Sequence, residues 1–381
     1  MIHVILLLQL AHHDIKLQDL PKPYASKDAD NPPRIVPRPA GAELHVPPGF
    51  KVELWAEGLD RPRQMALAPS GEVFVAEPRG NRVSVWRDGK KVSTFAENLD
   101  LPFGIAFHDQ WLYVGNTGSV VRFAYKPGQT RASGQPEKIA TLPGRGYNQH
   151  WTRNVIFAPD GKKMYVTVGS ETNVDVETEP MRAAITEFNP DGSGKRIYAT
   201  GTRNPVGLAF RGNTLWAAVE ERDDLGDDLP PDYVTSIQPG GFYGWPFAYA
   251  GPNEDPRRKG ERPDLVKKTI APDVLVQAHS AVLGLIFYGG KMFPPEYKGD
   301  AFVAFHGSWN RTRRTGYSVV RIHFKDGKPA GGYDDFLTGF MLDPQKAEVW
   351  GRPVGLLELP DGSLLVSDDG GYKIWRVSYS R

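Results

Sequence analysis

One short pattern recurs six times along this chain of 381 residues. An apolar stretch resembling G-L-A-F is followed by a turn of Pro, Asp or Gly, then by a second stretch resembling L-Y-V. A third follows a few residues later. The copies fall at 65–68, 73–76 and 82–86; at 104–107, 112–115 and 120–125; at 155–157, 164–167 and 184–188; at 207–210, 215–218 and 234–238; at 284–288, 301–305 and 318–324; and at 355–359, 364–367 and 373–379. Each is rich in Val, Ile, Tyr, Phe and Trp, which suit a pleated, half-buried surface. A recurrent unit of this kind marks a repeat architecture. One three- or four-stranded sheet cannot cover both its faces, whereas six packed radially cover one another and leave short, protected edges. The expectation is an all-β, six-bladed β-propeller, its ring closed by a strand from FKVELW (50–55) added to the last blade. No apolar period of 3.6 residues is sustained for roughly twelve residues, so helices should be few.

Length alone suggests two domains, but a propeller grows by adding blades, and residues 49–381 are assigned to one. Residues 1–48 read as a mostly irregular N-terminal arm, rich in Pro, Asp and Lys toward its end. The net charge of +1 supplies no field for nucleic acid or an anionic membrane. Cysteine is absent, which excludes disulfides, thiolate metal sites and cysteine nucleophiles. The apolar run IHVILLLQLA (2–11) is too short for stable membrane insertion. It reads as the remnant of an export signal or as a tail, and with the missing cysteines it suits a periplasmic or secreted chain.

In a propeller the innermost strand of each blade lines the axis, and the loops leading into those strands open on one face. The residues at these entrances are Arg63-Gln64, Pro102-Phe103, HWTRN (150–154), Arg203-Asn204, His279 and Arg352. HGSWNR (306–311) adds Arg311 in the fifth blade. Arg63, Arg153, Arg203, Arg311 and Arg352 converging on one funnel would repel one another unless something anionic sits among them. Guanidinium forks suit carboxylate or phosphate oxygens; the plainer alternative pairs each with a neighbouring acid. His150 is the candidate general base, since histidine titrates near neutrality, with His279 and His306 behind it. The loop ERDDLGDDLPPD (221–232) has six acids in twelve residues, a density that suits a hard cation such as Ca²⁺ or a solvated acidic loop.

HWTRNVIFAPDGKKMYVTVGS (150–170), GTRNPVGLAF (201–210), ERDDLGDDLPPDY (221–233), FYGWP (242–246), HGSWNR and GRPVGLLELPDGSLLVSDD (351–369) together resemble the soluble pyrroloquinoline quinone (PQQ)-dependent sugar dehydrogenases, in their glucose/sorbosone dehydrogenase-like branch. The resemblance implies a six-bladed propeller with PQQ over the channel and an oxidation of an aldose-type sugar or sorbosone at C1. It implies that His150 takes the hydroxyl proton and that Arg203 and Asn204 contact the quinone oxygens. Arg352, and Arg311 or Arg314, fall near positions for the PQQ carboxylates. The backbone carbonyls of Asp223 and Asp224 fall where the family holds Ca²⁺. An external electron acceptor would reoxidise the cofactor. The glucose enzymes have Asp before the base where this chain has Gln149, and a cofactor-contacting Gln has no counterpart near residues 99–103, which points away from glucose toward the sorbosone-like branch. The competing expectations are a metal-dependent lactonase or lyase propeller, which needs Glu, Asn and Asp at the entrances, and a non-catalytic binding propeller.

Overall fold

The structure is a computed structural model describing residues 10–144 and 150–380. Six antiparallel sheets of four or five strands form the blades. From the axis outward, blade 1 is Met65–Leu67, Val73–Glu77, Arg82–Arg87 and Lys90–Ala96; blade 2 is Ile105–His108, Trp111–Asn116, Ser119–Ala124 and Glu137–Thr141. Blade 3 is Val155–Phe157, Met164–Val168, Ala184–Phe188 and Arg196–Thr200, with Gly241–Phe242 added in parallel at its edge. Blade 4 is Asn204–Arg211, Thr214–Glu220, Asp232–Ser236 and Val274–Val276; blade 5 is Val282–Phe287, Ala301–Phe305, Ser318–Ile322 and Tyr333–Leu337. Blade 6 is Pro353–Glu358, Leu364–Asp368 and Lys373–Tyr379, completed by Phe50–Glu57, which pairs antiparallel with Lys373–Tyr379. The closing strand is therefore the one expected from FKVELW. Each inner strand abuts its neighbours on both sides, and that of blade 6 abuts that of blade 1, so the ring is complete.

Apolar side chains fill every gap between blades. Phe74, Phe95, Leu112 and Phe123 lie between blades 1 and 2, and Met164, Tyr113 and Phe188 between 2 and 3. Phe302, Phe336, Val366 and Trp375 join blades 5 and 6, while Trp86, Val75 and Ile374 join 6 and 1. Each such fully buried side chain contributes roughly 1.5–3 kcal/mol. The axis is plugged by Phe103, Val206, Leu283 and Val354. The glycine of the G-L-A-F unit has a steric reason there: a Cβ on Gly284 would stand 2.2 Å from the Val354 carbonyl oxygen, and one on Gly355 2.4 Å from that of Arg63. Glycine lets adjacent inner strands touch backbone to backbone.

Among the described residues the one α-helix is Pro263–Lys268. The arm is mostly irregular, as expected, with two short strands. His12–His13 adds an edge strand to blade 5, and Arg34–Ile35 pairs in parallel with Glu348–Val349. The apolar run at 2–11 lies outside the described residues except for Leu10 and Ala11, and Gln149 lies outside them as well. No described helix is long and apolar enough to cross a membrane.

Candidate functional site

The loops leading into the inner strands and those leaving the second strands meet at one end of the ring. They line a cavity at the axis bordered by Arg63, His150, Arg203, Asn204, His306 and Arg352, among others. Trp151 and Trp309 also line it, and the Arg63 guanidinium lies 5.3 Å from the centre of the Trp151 ring. Aromatic walls beside guanidinium groups suit a flat anion.

His150 is buried, and its Nδ1 lies 3.0 Å from the Ser170 carbonyl oxygen. A carbonyl only accepts, so the ring proton sits on Nδ1 and Nε2 carries the basic lone pair. Burial first, then the charge of Arg203, hold the His150 pKa well below its ordinary value, so the ring is neutral. Arg203 donates to the Glu221 carbonyl at 2.6 Å, to Asn173 Oδ1 at 3.1 Å and to Asp223 Oδ2 at 3.0 Å. Asn204 donates to Glu220 Oε2 at 2.6 Å.

Across the mouth stands a second cluster. Arg63 pairs with Asp369 at 2.5 Å, and His306 Nε2 lies 2.8 Å from the other Asp369 oxygen. Burial alone would raise the Asp369 carboxyl, but Arg63, His306 and Arg352 together hold it well below the usual carboxylate range. Burial, followed by Arg352, takes His306 down to about 3, so it donates to Asp369 as a neutral ring. Arg352 donates to the carbonyls of His306 and Gly307, both at 3.0 Å. On the blade 4 side, burial raises three further acids: Glu221 to about 7, Asp232 well above its ordinary value, and Glu220 less far.

The structure brings together Arg63, His150, Arg203, Asn204 and Arg352 and takes three expected residues elsewhere. Arg153 is fully buried and spends its guanidinium on five backbone carbonyls, those of Thr117, Pro143, Gly144, His150 and Thr152. It braces the loop that carries His150 and does not line the cavity. Arg311 pairs with Asp228 at 2.5 Å and donates to the Asp227 carbonyl, tying the blade 5 loop to the blade 4 loop. Arg314 binds the carbonyls of Asn31, Pro32 and Lys346. The ring of five arginines is thus a group of three, two of them paired with acids.

The expected calcium pair is also corrected. Arg222 is 1% exposed, and it donates through Nε to the Asp223 carbonyl at 2.9 Å and through Nη2 to the Asp224 carbonyl at 3.2 Å. Its Nη1 meets Asp255 Oδ2 at 2.5 Å. Both carbonyls already face a cation, and a divalent ion placed on them would stand beside a guanidinium, which Coulomb repulsion disfavours in a buried setting. Asp224 does not line the cavity. Among the described residues no cluster of three His, Asp or Glu is arranged to hold a metal ion. The donor set does not fit Ca²⁺ at this position.

It does fit PQQ, whose three carboxylates and quinone oxygens need donors and cations. Three guanidinium groups border the mouth. Arg63 and Thr152 line it, and Arg63 Nε and Thr152 Oγ1 are buried donors without a hydrogen-bond partner among the described residues. Buried polar atoms left open in this way cost stability unless a ligand or water meets them. The sequence reading missed Asn173, which holds Arg203, the Asp223 backbone and Asp224 from an irregular loop that carries no repeat signal. It also missed Asp369 and Asn310, although both lie in segments it had singled out.

The TrAA12-like family model matches residues 44–241 and 259–380. An uncharacterized protein of Borreliella burgdorferi is 30% identical over 351 residues, covering 89% of this chain and 91% of that one. The aldose sugar dehydrogenase YliI of Escherichia coli is 25% identical over 293 residues, covering 65% of this chain and 76% of that one. The holo form of the pyranose dehydrogenase PQQ domain from Coprinopsis cinerea shares the fold with a TM-score of 0.74 at 22% identity, covering 90% of this chain and 98% of that one. The chain belongs to the TrAA12-like family, and the proteins it resembles include an aldose sugar dehydrogenase and a PQQ-dependent pyranose dehydrogenase.

Proposed function

We propose that the axial mouth binds PQQ and that the chain oxidises an aldose-type sugar or sorbosone at C1, passing the electrons to an external acceptor. The observation that carries this reading is His150: a buried, neutral imidazole whose tautomer is set by the Ser170 carbonyl, in one cavity with Arg63, Arg203 and Arg352. The names of the relatives agree with it. Bound PQQ supplies a two-electron, hydride-accepting quinone. Arg63 and Arg352 would hold its carboxylates, and Arg203 with Asn204 would meet the quinone oxygens. His150 Nε2 takes the proton of the sugar hydroxyl while Ser170 keeps the ring in register. Burial and Arg203 disfavour the resulting imidazolium, so the proton is released to solvent through the mouth that His150 lines rather than stored on the ring. The absence of cysteine and the apolar segment at 2–11 support a periplasmic or secreted location.

The acids at the mouth do not revive a hydrolytic reading. Asp223 is held by Arg203 and Asn310, Glu220 by Asn204, and Asp232 by the amides of Glu221 and Ala281. The test is to titrate the apo-protein with PQQ by absorbance, then follow dye reduction across aldoses and sorbosone. Saturable uptake is expected, and His150→Asn should lower the rate about 10²–10⁴-fold with PQQ uptake retained. No uptake of PQQ, or an unchanged rate in His150→Asn, overturns the reading.

A further inference from the structure

Residues 24–32 of the N-terminal arm precede the residues that match the family model, yet they are bonded to the two loops that build the mouth. On the blade 4 loop, the Tyr24 amide donates to the Leu225 carbonyl at 2.9 Å, the Asp227 amide to Ser26 Oγ at 2.7 Å and the Gly226 amide to Asp28 Oδ1 at 2.9 Å. On the blade 5 loop, the Asn31 amide donates to the carbonyl of Trp309 at 2.8 Å, and its side chain to the carbonyls of Arg311 and Thr312. Arg314 closes the grip by donating to Asn31 O and Oδ1, both at 2.5 Å.

From Gly226 the bonds run inward without a break. His279 Nε2 lies 3.0 Å from the Gly226 carbonyl, which makes Nε2 the donor and Nδ1 an acceptor. Nδ1 then accepts from Asn310 Nδ2 at 3.2 Å. The other Asn310 amide hydrogen serves Asp223 Oδ1 at 2.7 Å, and Asp223 Oδ2 accepts from Arg203 at 3.0 Å. Each donor and acceptor along this path has a consistent role, and the path crosses from arm to blade 4, to blade 5 and back to the mouth.

We propose that the arm is a working part of the mouth, with Asp28 and Asn31 as positioning residues that set Arg203 through Gly226, His279, Asn310 and Asp223. Loops that carry binding groups need such outer support to hold geometry. The inference rests on the PQQ reading for its ligand, though the bonding path stands without it. The arm reaches the Trp309 backbone as well, so it also sets the aromatic wall on that side.

The experiment uses the full chain with Asp28→Ala, Asn31→Ala and Asp28→Asn. The Asn replacement keeps an oxygen for the Gly226 amide. Amide hydrogen exchange on the apo-proteins reports the loops, and PQQ titration reports the mouth. Asp28→Ala should speed exchange across residues 223–227 and 279–283 and weaken PQQ about tenfold, with Asp28→Asn close to wild type. Asn31→Ala should do the same across residues 306–312, and it serves if Asp28→Ala does not fold. Faster exchange confined to the arm, or faster loop exchange with unchanged PQQ affinity, overturns the proposal, as does failure of Asp28→Asn to restore both readouts. If the wild-type chain takes up no PQQ, the proposed function fails, and exchange at residues 203–206 and 279–283 decides the arm's role by itself.

Discussion

Replacing Arg222 by Met tests both the correction to the metal expectation and the account of the blade 4 loop. Arg222 is 1% and Asp255 2% exposed, and their ion pair measures 2.5 Å. Met fills much of the same volume but removes three partners at once: the Asp255 carboxylate and the carbonyls of Asp223 and Asp224. Leaving one member of a buried pair behind costs about 3–5 kcal/mol. The orphaned carbonyls add to this, though not additively, since all three belong to one network. Against a domain stability of about 5–15 kcal/mol, this is a large fraction. Asp255→Asn keeps the acceptor for the Arg257 amide while removing the charge, so the double variant Arg222→Met/Asp255→Asn should recover much of the loss. Equilibrium urea unfolding of the apo-proteins measures the cycle through the shift in midpoint. Ca²⁺ at millimolar concentration should leave the wild-type midpoint in place and raise that of Arg222→Met, whose carbonyls have lost their cation. A cost below about 1 kcal/mol for Arg222→Met, or wild-type stabilisation by Ca²⁺ equal to that of the variant, would refute the reasoning.

Two further predictions follow from the same physics. Burial raises Glu221 to about 7 from an ordinary 4.5, so between those values the folded chain keeps a proton that the unfolded chain releases. Stability is therefore highest below pH 4.5 on this account and falls as pH rises toward 7, by an amount on the order of 3 kcal/mol. Glu221→Gln should flatten that slope in urea unfolding between pH 5 and 7.5; Asp232 and Asp368, also raised by burial, leave some of it in place. An unaltered slope would show that Glu221 is not titrating there. Gly89 turns with φ +73°, and a Cβ on it would stand 2.0 Å from the Trp55 carbonyl oxygen of the closing strand. Gly89→Ala should cost about 2 kcal/mol or more and loosen Phe50–Glu57 first, read as faster amide exchange in that strand; protection equal to wild type would dismiss the contact as a constraint on closure.

The blades were legible because their signal is local. Alternating apolar residues bounded by Pro-Asp-Gly turns specify strands whatever lies far away in the chain. Even so, boundaries moved: the third strand of blade 4 runs Asp232–Ser236 rather than 234–238, drawn back by the loop that Asp232 anchors through the Glu221 amide. Fourth strands such as Lys90–Ala96 and Arg196–Thr200 escaped notice, since an outer edge is partly wet and its sequence need not alternate cleanly.

The site divides along the same line. That six strand entrances share one face followed from the repeat, and with it the placing of Arg63, His150, Arg203, Asn204 and Arg352 around one cavity. Which arginines reach that cavity did not follow, because a long flexible side chain goes where its partners are. Arg314 is claimed by Asn31, 283 positions away, and Arg311 by Asp228, 83 positions away. Arg153 faces the carbonyls of its own loop and of Thr117. Arg222, which composition grouped with an acidic loop, turns inward and takes the two carbonyls expected to hold a metal. The sequence by itself determined the ring, its closure and the ends of the strands where chemistry can sit, because strand patterning and turn residues act over a few positions. Only the tertiary structure decided which charges are spent on carbonyls and acids and which face the mouth, because that depends on contacts between blades and with the arm.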